Sequence, residues 1–168
     1  MTSQSCIEIS QEPCGVVSLR MDEPETRNGL SERLCARLEE TLARLATDPT
    51  ARVVVLKGAR DVFCSGATFD TLEKAARGNL EIRELQLPAR ILGFPLPVLA
   101  AVEGAAVGGG LMLAICADVT VAAEGQRYGF NFTDLGFTPG MGSTGLVPQL
   151  VGEGVAAAML MSGKNYRG

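Results

Sequence analysis

Leu34, Leu38, Leu42 and Leu45 recur at the spacing of one helical face behind Ser31, a good N-cap followed by Glu32. The pattern predicts a helix ending near Asp48-Pro49. Ahead of it, β-branched residues over Cys6 to Ile9 and Gly15 to Met21, parted by the turn-prone Gln11-Glu12-Pro13, predict an opening pair of strands. Asp22 to Gly29 is polar and turn-rich. Arg52 to Lys57 carries a continuous apolar run between Pro49 and Gly58, the pattern of a strand buried on both faces of a parallel sheet. A loop from Gly58 to Gly66 follows, then a helix from about Thr68 with Leu72, Ala75 and Ala76 on one side, stopped by Gly78.

The plan then repeats. After a helical segment interrupted by Pro88, Pro97 to Val102 reads as a strand, Gly104 to Gly110 as a glycine-rich turn and Leu111 to Cys116 as an apolar helix. Val119 to Ala123 predicts another short strand, and Ser143 to Leu150 and Gly154 to Ser162 predict helices. Strands alternating with helices indicate an α/β fold around a buried sheet. Residues 1–168 contain no linker-like or low-complexity stretch and read as one domain.

Composition narrows the chemistry. With 46% hydrophobic and 20% charged residues the chain can bury a sizeable core. A net charge of −4 offers no basic field for nucleic acid or an anionic membrane, and no apolar run approaches a membrane span. The N-terminal segment has neither a basic nor an apolar leader region, so a cytoplasmic protein is expected. There is no histidine, which removes Ser-His-Asp and Cys-His triads and His-ligated zinc from these residues. The five cysteines form no C-x-x-C pair and read as small buried side chains, and no metal site is expected.

Three motifs fail on context. Gly140-Met141-Gly142-Ser143-Thr144-Gly145 matches G-x-G-x-x-G but follows Phe137-Thr138-Pro139 where a buried strand should precede, so a turn and helix start is the better reading. Ser162-Gly163-Lys164 resembles the end of a phosphate loop, yet the required first glycine is Ala158. Asp118 and Glu124 read as capping or solvated carboxylates.

The productive signal is a pair. At Cys64-Ser65-Gly66-Ala67 and at Gly108-Gly109-Gly110, small residues open a helix just after a buried strand. Backbone N–H groups at such starts lack helical partners and suit an anion. Two turns side by side can aim two donors at one oxygen, each worth roughly 2.7 to 4 kcal/mol of transition-state stabilisation. The alternative for either motif alone is that its glycines simply permit tight turns and close packing.

Phe63-Cys64-Ser65-Gly66-Ala67, Val102 to Gly110 and Ala117-Asp118, in this order, resemble the enoyl-CoA hydratase/isomerase (crotonase) superfamily. The resemblance implies a crotonase-like spiral of ββα repeats. It places the oxyanion donors on the N–H groups of Ala67 and Gly109, facing the thioester carbonyl of an acyl-CoA or acyl carrier protein substrate. At the positions of the hydratases' two catalytic glutamates stand Met112 and Phe132, which cannot exchange a proton, so ordinary hydration is not expected.

Tyr128 to Gly142 and Gly163 to Gly168 look most like the decarboxylating branch of polyketide β-branching cassettes. That likeness implies decarboxylation of a 3-methylglutaconyl thioester to a 3-methylcrotonyl one through a dienolate, with Met112 and Phe132 keeping the pocket dry. The alternatives are a dehydratase or enoyl isomerase of the same fold, or a non-catalytic subunit that binds the thioester or its carrier protein. No cofactor is implied beyond the phosphopantetheine of acyl carrier protein or CoA.

Where this branch often holds a tyrosine and a lysine, this chain has Thr71 and Ala75. Lys74 is adjacent, but one position is about 100° of rotation, so it reaches the pocket only by bending its stem back. Gly66, Thr71, Lys74, Met112 and Phe132 are the implied substrate-binding positions. Arg27 falls in a region that contacts the thiol carrier in relatives. Family members form trimers or hexamers and continue into a C-terminal helical region bearing a histidine. The expectation is that Arg167-Gly168 stops short of that region in a longer protein.

Overall fold

Three consecutive stretches of this chain do the same thing: a strand enters one sheet, a second short strand enters another, and a helix or helical turn returns. A computed structural model describes residues 5–79 and 82–168. Residues 1–4 of the N-terminal segment lie outside the described residues. In chain order the strands are β1 (Ile7–Gln11), β2 (Val16–Met21), β3 (Val53–Lys57), β4 (Val62–Cys64), β5 (Val98–Val102), β6 (Ala105–Val107), β7 (Val119–Ala122), β8 (Arg127–Gly129) and β9 (Asn165–Arg167). The helices are α1 (Glu32–Leu45), α2 (Phe69–Ala76), α3 (Ile82–Leu92), α4 (Gly109–Ile115), α5 (Ser143–Val151) and α6 (Glu153–Ser162).

The units β3-β4-α2, β5-β6-α4 and β7-β8, which a 3-10 turn at Thr133–Leu135 follows, stack as successive turns of a spiral. Equivalent strands pair in parallel. One sheet has the order β1-β2-β3-β5-β7 and the other β4-β6-β8-β9. Among the described residues only the β1-β2 hairpin (Ile7 opposite Met21) and the closing β8-β9 pair are antiparallel. This is the crotonase-like spiral of ββα repeats that the family resemblance implies.

Several elements differ from the sequence reading. The regions Gly58 to Gly66 and Gly104 to Gly110, read as loop and turn, each contain a three-residue strand. β3 is not buried on both faces: Val54 and Leu56 are enclosed while Val53, Val55 and Lys57 are half-buried. Pro88 does not interrupt its helix, since α3 runs through it with Leu87 and Ile91 buried. Here tertiary packing outweighs the lost backbone donor. α1 forms as expected, with Ser31 Oγ accepting from the Leu34 N–H at 3.0 Å. Its buried face of Leu34, Leu38, Leu42 and Leu45 joins one core with Val17, Leu19, Met21, Val54 and Phe63.

The cysteines at 6, 64 and 116 are buried, and Cys14 is exposed. Burial pushes the Cys64 thiol up to about 12 and that of Cys116 to about 11, so both behave as small apolar side chains. Asp118 accepts the N–H of Val98 at 2.8 Å and so pins the start of β5. Among the described residues no helix is long and apolar enough to cross a membrane.

Candidate active site

β4 and β6 lie side by side in parallel, Val62 opposite Ala105 and Cys64 opposite Ala106, so the turns that follow them also lie side by side. Each turn hands a strand to a helix through glycine. Gly66 has φ +88°, and a Cβ there would stand 2.6 Å from the Val107 carbonyl oxygen and 3.4 Å from the Gly109 nitrogen. A Cβ on Gly110 would stand 2.2 Å from the carbonyl oxygen of Cys64. Only side-chain-free positions allow the two turns to approach this closely.

This approach sets the Gly109 nitrogen beside Gly66, the residue before Ala67. Among the described residues neither the Ala67 nor the Gly109 amide donates a hydrogen bond. Gly109 opens α4, so its N–H precedes the helical ladder. Ala67 shares a planar peptide with Gly66, whose carbonyl accepts the Leu30 N–H at 2.7 Å. Because that peptide is trans, holding its oxygen toward Leu30 directs the Ala67 N–H the opposite way.

Both residues border a cavity of about 150 Å³. Its apolar wall comes from Leu30, Leu72, Ala75, Phe132, Leu135, Phe137 and Met141. Phe132 is stacked on the buried Phe130, ring centroids 6.2 Å apart. Ser65, Thr71, Asn131 and Thr138 supply the polar side chains of the wall. Ser65 Oγ donates to Thr26 O at 3.0 Å and Thr71 Oγ1 to Leu30 O at 3.3 Å, so both hydroxyls are committed to the protein. The Asn131 amide, next to Gly108, has no hydrogen-bond partner among the described residues. Among the described residues, none that lines the cavity is ionisable.

The structure thus brings Ala67, Thr71, Gly109 and Phe132 together and places Gly66 in the turn behind them. Three expected substrate-binding residues sit elsewhere. Met112 is fully buried and does not line the cavity, because α4 turns that face into the core. Lys74 lies on the outer side of α2, its ammonium 3.4 Å from Glu32, while Ala75 faces the cavity. Arg27 is exposed at φ 55°, and only its backbone carbonyl approaches the site, accepting the Ser65 N–H at 3.3 Å. Lys74→Ala is therefore expected to leave turnover unchanged and to cost at most the ~0.5 kcal/mol of an exposed ion pair, checked by steady-state kinetics and urea melts.

Sequence reasoning did not name Leu30, Asn131, Phe137, Thr138 and Met141 as site residues, since they come from segments without periodicity; the last four lie in the Tyr128 to Gly142 stretch that carries the likeness to the decarboxylating branch. It also missed a buried charge behind the first turn. Glu23 is 3% exposed, and its carboxylate accepts from Thr26 Oγ1 and Ser31 Oγ, each at 2.7 Å, and from Arg33 Nε at 2.8 Å. Burial alone would raise its pKa. The two hydroxyls and the guanidinium more than reverse this and hold the carboxyl below the ordinary glutamate value. Its contribution to stability is complete above the ordinary glutamate range and is lost as pH falls through the lowered value.

A family model described as enoyl-CoA hydratase/isomerase matches residues 11–168. The chain is 29% identical over 166 residues to the bacillaene synthase decarboxylase PksI of Bacillus subtilis, covering 99% of this chain and 67% of that protein. It is 36% identical over 151 residues to the 2,3-dehydroadipyl-CoA hydratase of Escherichia coli, covering 89% and 59%. A solved structure from a dehydratase/decarboxylase enzyme couple involved in polyketide β-branching superposes with a TM-score of 0.93 at 29% identity, covering 97% of this chain and 66% of the other. The chain spans between about half and two thirds of the length of the curated relatives it matches.

Proposed function

The chain belongs to the enoyl-CoA hydratase/isomerase family, and from that premise we propose that it decarboxylates a 3-methylglutaconyl-type thioester carried on acyl carrier protein or CoA. The observation that carries this reading is a cavity bordered, among the described residues, by two unpartnered backbone N–H groups and by no ionisable side chain. Hydration requires acid and base groups to activate water. Decarboxylation of a vinylogous acid requires only a sink for the electron pair and a dry site.

In the proposed reaction the bond between the carboxylate carbon and its neighbouring CH2 breaks. The electron pair passes through the C=C bond to the thioester carbonyl, whose oxygen becomes negative between the N–H groups of Ala67 and Gly109. CO2 leaves, and the dienolate takes a proton at the carbon that bore the carboxylate, giving the 3-methylcrotonyl thioester. That proton comes from water or from a group outside the described wall. Leu30, Phe132, Phe137 and Met141 keep the dielectric low, which strengthens both donors. Asn131 offers a neutral amide that orients the substrate carboxylate without a salt bridge to hold it back. The chemistry asks for no metal or redox cofactor.

Similarity to the decarboxylase PksI supports this reading. The hydratase relatives make water addition the competing outcome, against which stand Met112 and Phe132 at the glutamate positions. Mass spectrometry after incubation with 3-methylglutaconyl-CoA separates the possibilities. A product lighter by CO2 is expected. Gain of water would assign a hydratase or a dehydratase running in reverse, and a migrated double bond at unchanged mass an isomerase. Binding without turnover would assign a carrier-binding subunit.

A further inference from the structure

We propose, resting on the reading of Ala67 as an oxyanion donor, that Glu23 is a positioning residue whose buried carboxylate sets the loop that aims the Ala67 N–H. Glu23 gathers Thr26, Ser31 and Arg33, fixing both ends of the segment between β2 and α1. Asn28, 2% exposed and at φ 54°, closes the segment from inside. Its Oδ1 accepts the Glu23 N–H at 2.7 Å, and its Nδ2 donates to the carbonyls of Met21 at 3.1 Å and Phe63 at 3.3 Å.

The segment so fixed grips the first turn on both sides. The Thr26 carbonyl accepts Ser65 Oγ and the Arg27 carbonyl accepts the Ser65 N–H, while the Leu30 N–H donates to the Gly66 carbonyl. That last bond holds the oxygen of the peptide unit whose nitrogen end is the Ala67 donor. A tilt of the loop therefore becomes a rotation of the donor. Leu30 also lines the cavity beside Gly109, so the same segment seats a wall of the site.

A carboxylate suits this role better than a neutral side chain. It accepts from three donors at once, and two of its partners lie on different elements: Ser31 caps α1 and Thr26 belongs to the 3-10 turn at Pro24–Thr26. Glutamine in its place would set an NH2 group against one of three donors and release it. Hydrogen bonds to a buried charge are among the stronger kinds, and losing one leaves a donor unsatisfied.

The test uses the full chain, labelled with 15N, as wild type, Glu23→Gln, and Arg37→Ala as a control whose exposed pair with Glu40 lies away from the loop. In Glu23→Gln the Ala67 amide resonance is expected to move and its hydrogen exchange to quicken, while the Gly109 amide stays where it is in wild type. With the thioester substrate, kcat is expected to fall by roughly tenfold to a hundredfold, the scale of a misplaced catalytic group, with KM little changed. Arg37→Ala is expected to match wild type in both measurements.

An unmoved Ala67 amide in folded Glu23→Gln would overturn the proposal. Should that variant fail to fold, Ser65→Ala removes only the tie to the Thr26 carbonyl and is read the same way. The amide measurement needs no substrate, so a wild-type protein that fails to decarboxylate refutes the proposed function while the positioning role is still decided by the resonances.

Discussion

Gly109→Pro is expected to lower kcat by roughly 10²- to 10³-fold, the effect of removing one oxyanion donor, without unfolding the protein. Proline has no N–H, so the substitution deletes the proposed donor itself. Gly109 is the first residue of α4, a position where proline's fixed φ suits the helix and its missing N–H breaks no ladder bond. The new Cβ would meet Met141 Sδ at 2.6 Å and Leu30 Cδ1 at 2.7 Å, both ends of flexible side chains that can give way. Gly109→Ala introduces the same Cβ and keeps the N–H, so the difference between the two variants isolates the donor from the crowding. Steady-state kinetics with melting curves on both variants checks this. Equal losses would assign the effect to cavity shape.

Gly110→Ala is expected to remove activity and to lower the free energy of unfolding by about 3 kcal/mol, the upper range for overpacking. Its Cβ would stand 2.2 Å from the Cys64 carbonyl oxygen and 2.7 Å from the Cys64 Cβ. Those atoms belong to β4 and cannot rotate away as a side-chain tip can. α4 must lift off the strand, which takes the Gly109 N–H away from Ala67 and opens the core around Leu113 and Ala114. Denaturant unfolding of this variant is best read against Gly154→Ala, where nothing lies within 4 Å. That helical glycine is expected to be neutral or to gain about 0.5–1 kcal/mol.

Strong local signals in the sequence carried much of this account. Ser31 and the leucine spacing behind it define α1, and the two small-residue turns contribute Ala67 and Gly109 to one cavity. The 100° step on α2 was also informative: Thr71, Leu72 and Ala75 face the cavity, and Lys74 is turned away toward Glu32. Other features have no local signature. β4, β6, β8 and β9 are three residues each, too short for an alternating pattern, and the β4-β6 pairing joins Val62 to Ala105 across a whole turn of the spiral. Met112 misleads because its place on α4 is readable while the rotation of α4 is set by Gly110 lying on β4. Glu23 sits in a segment that reads as a polar surface turn; its burial follows from Thr26, Ser31 and Arg33 converging on it, a relation of three dimensions.

We propose that backbone donors in a dry cavity drive loss of CO2 from a carrier-bound thioester. This is tested most directly with 3-methylglutaconyl-CoA carrying 13C in its free carboxyl group. Wild-type protein is expected to release the label as 13CO2 and leave an unlabelled 3-methylcrotonyl thioester, with Gly109→Pro slower by roughly 10²- to 10³-fold. Label retained in a hydrated or isomerised product, or 13CO2 released equally fast by both proteins, would contradict the account.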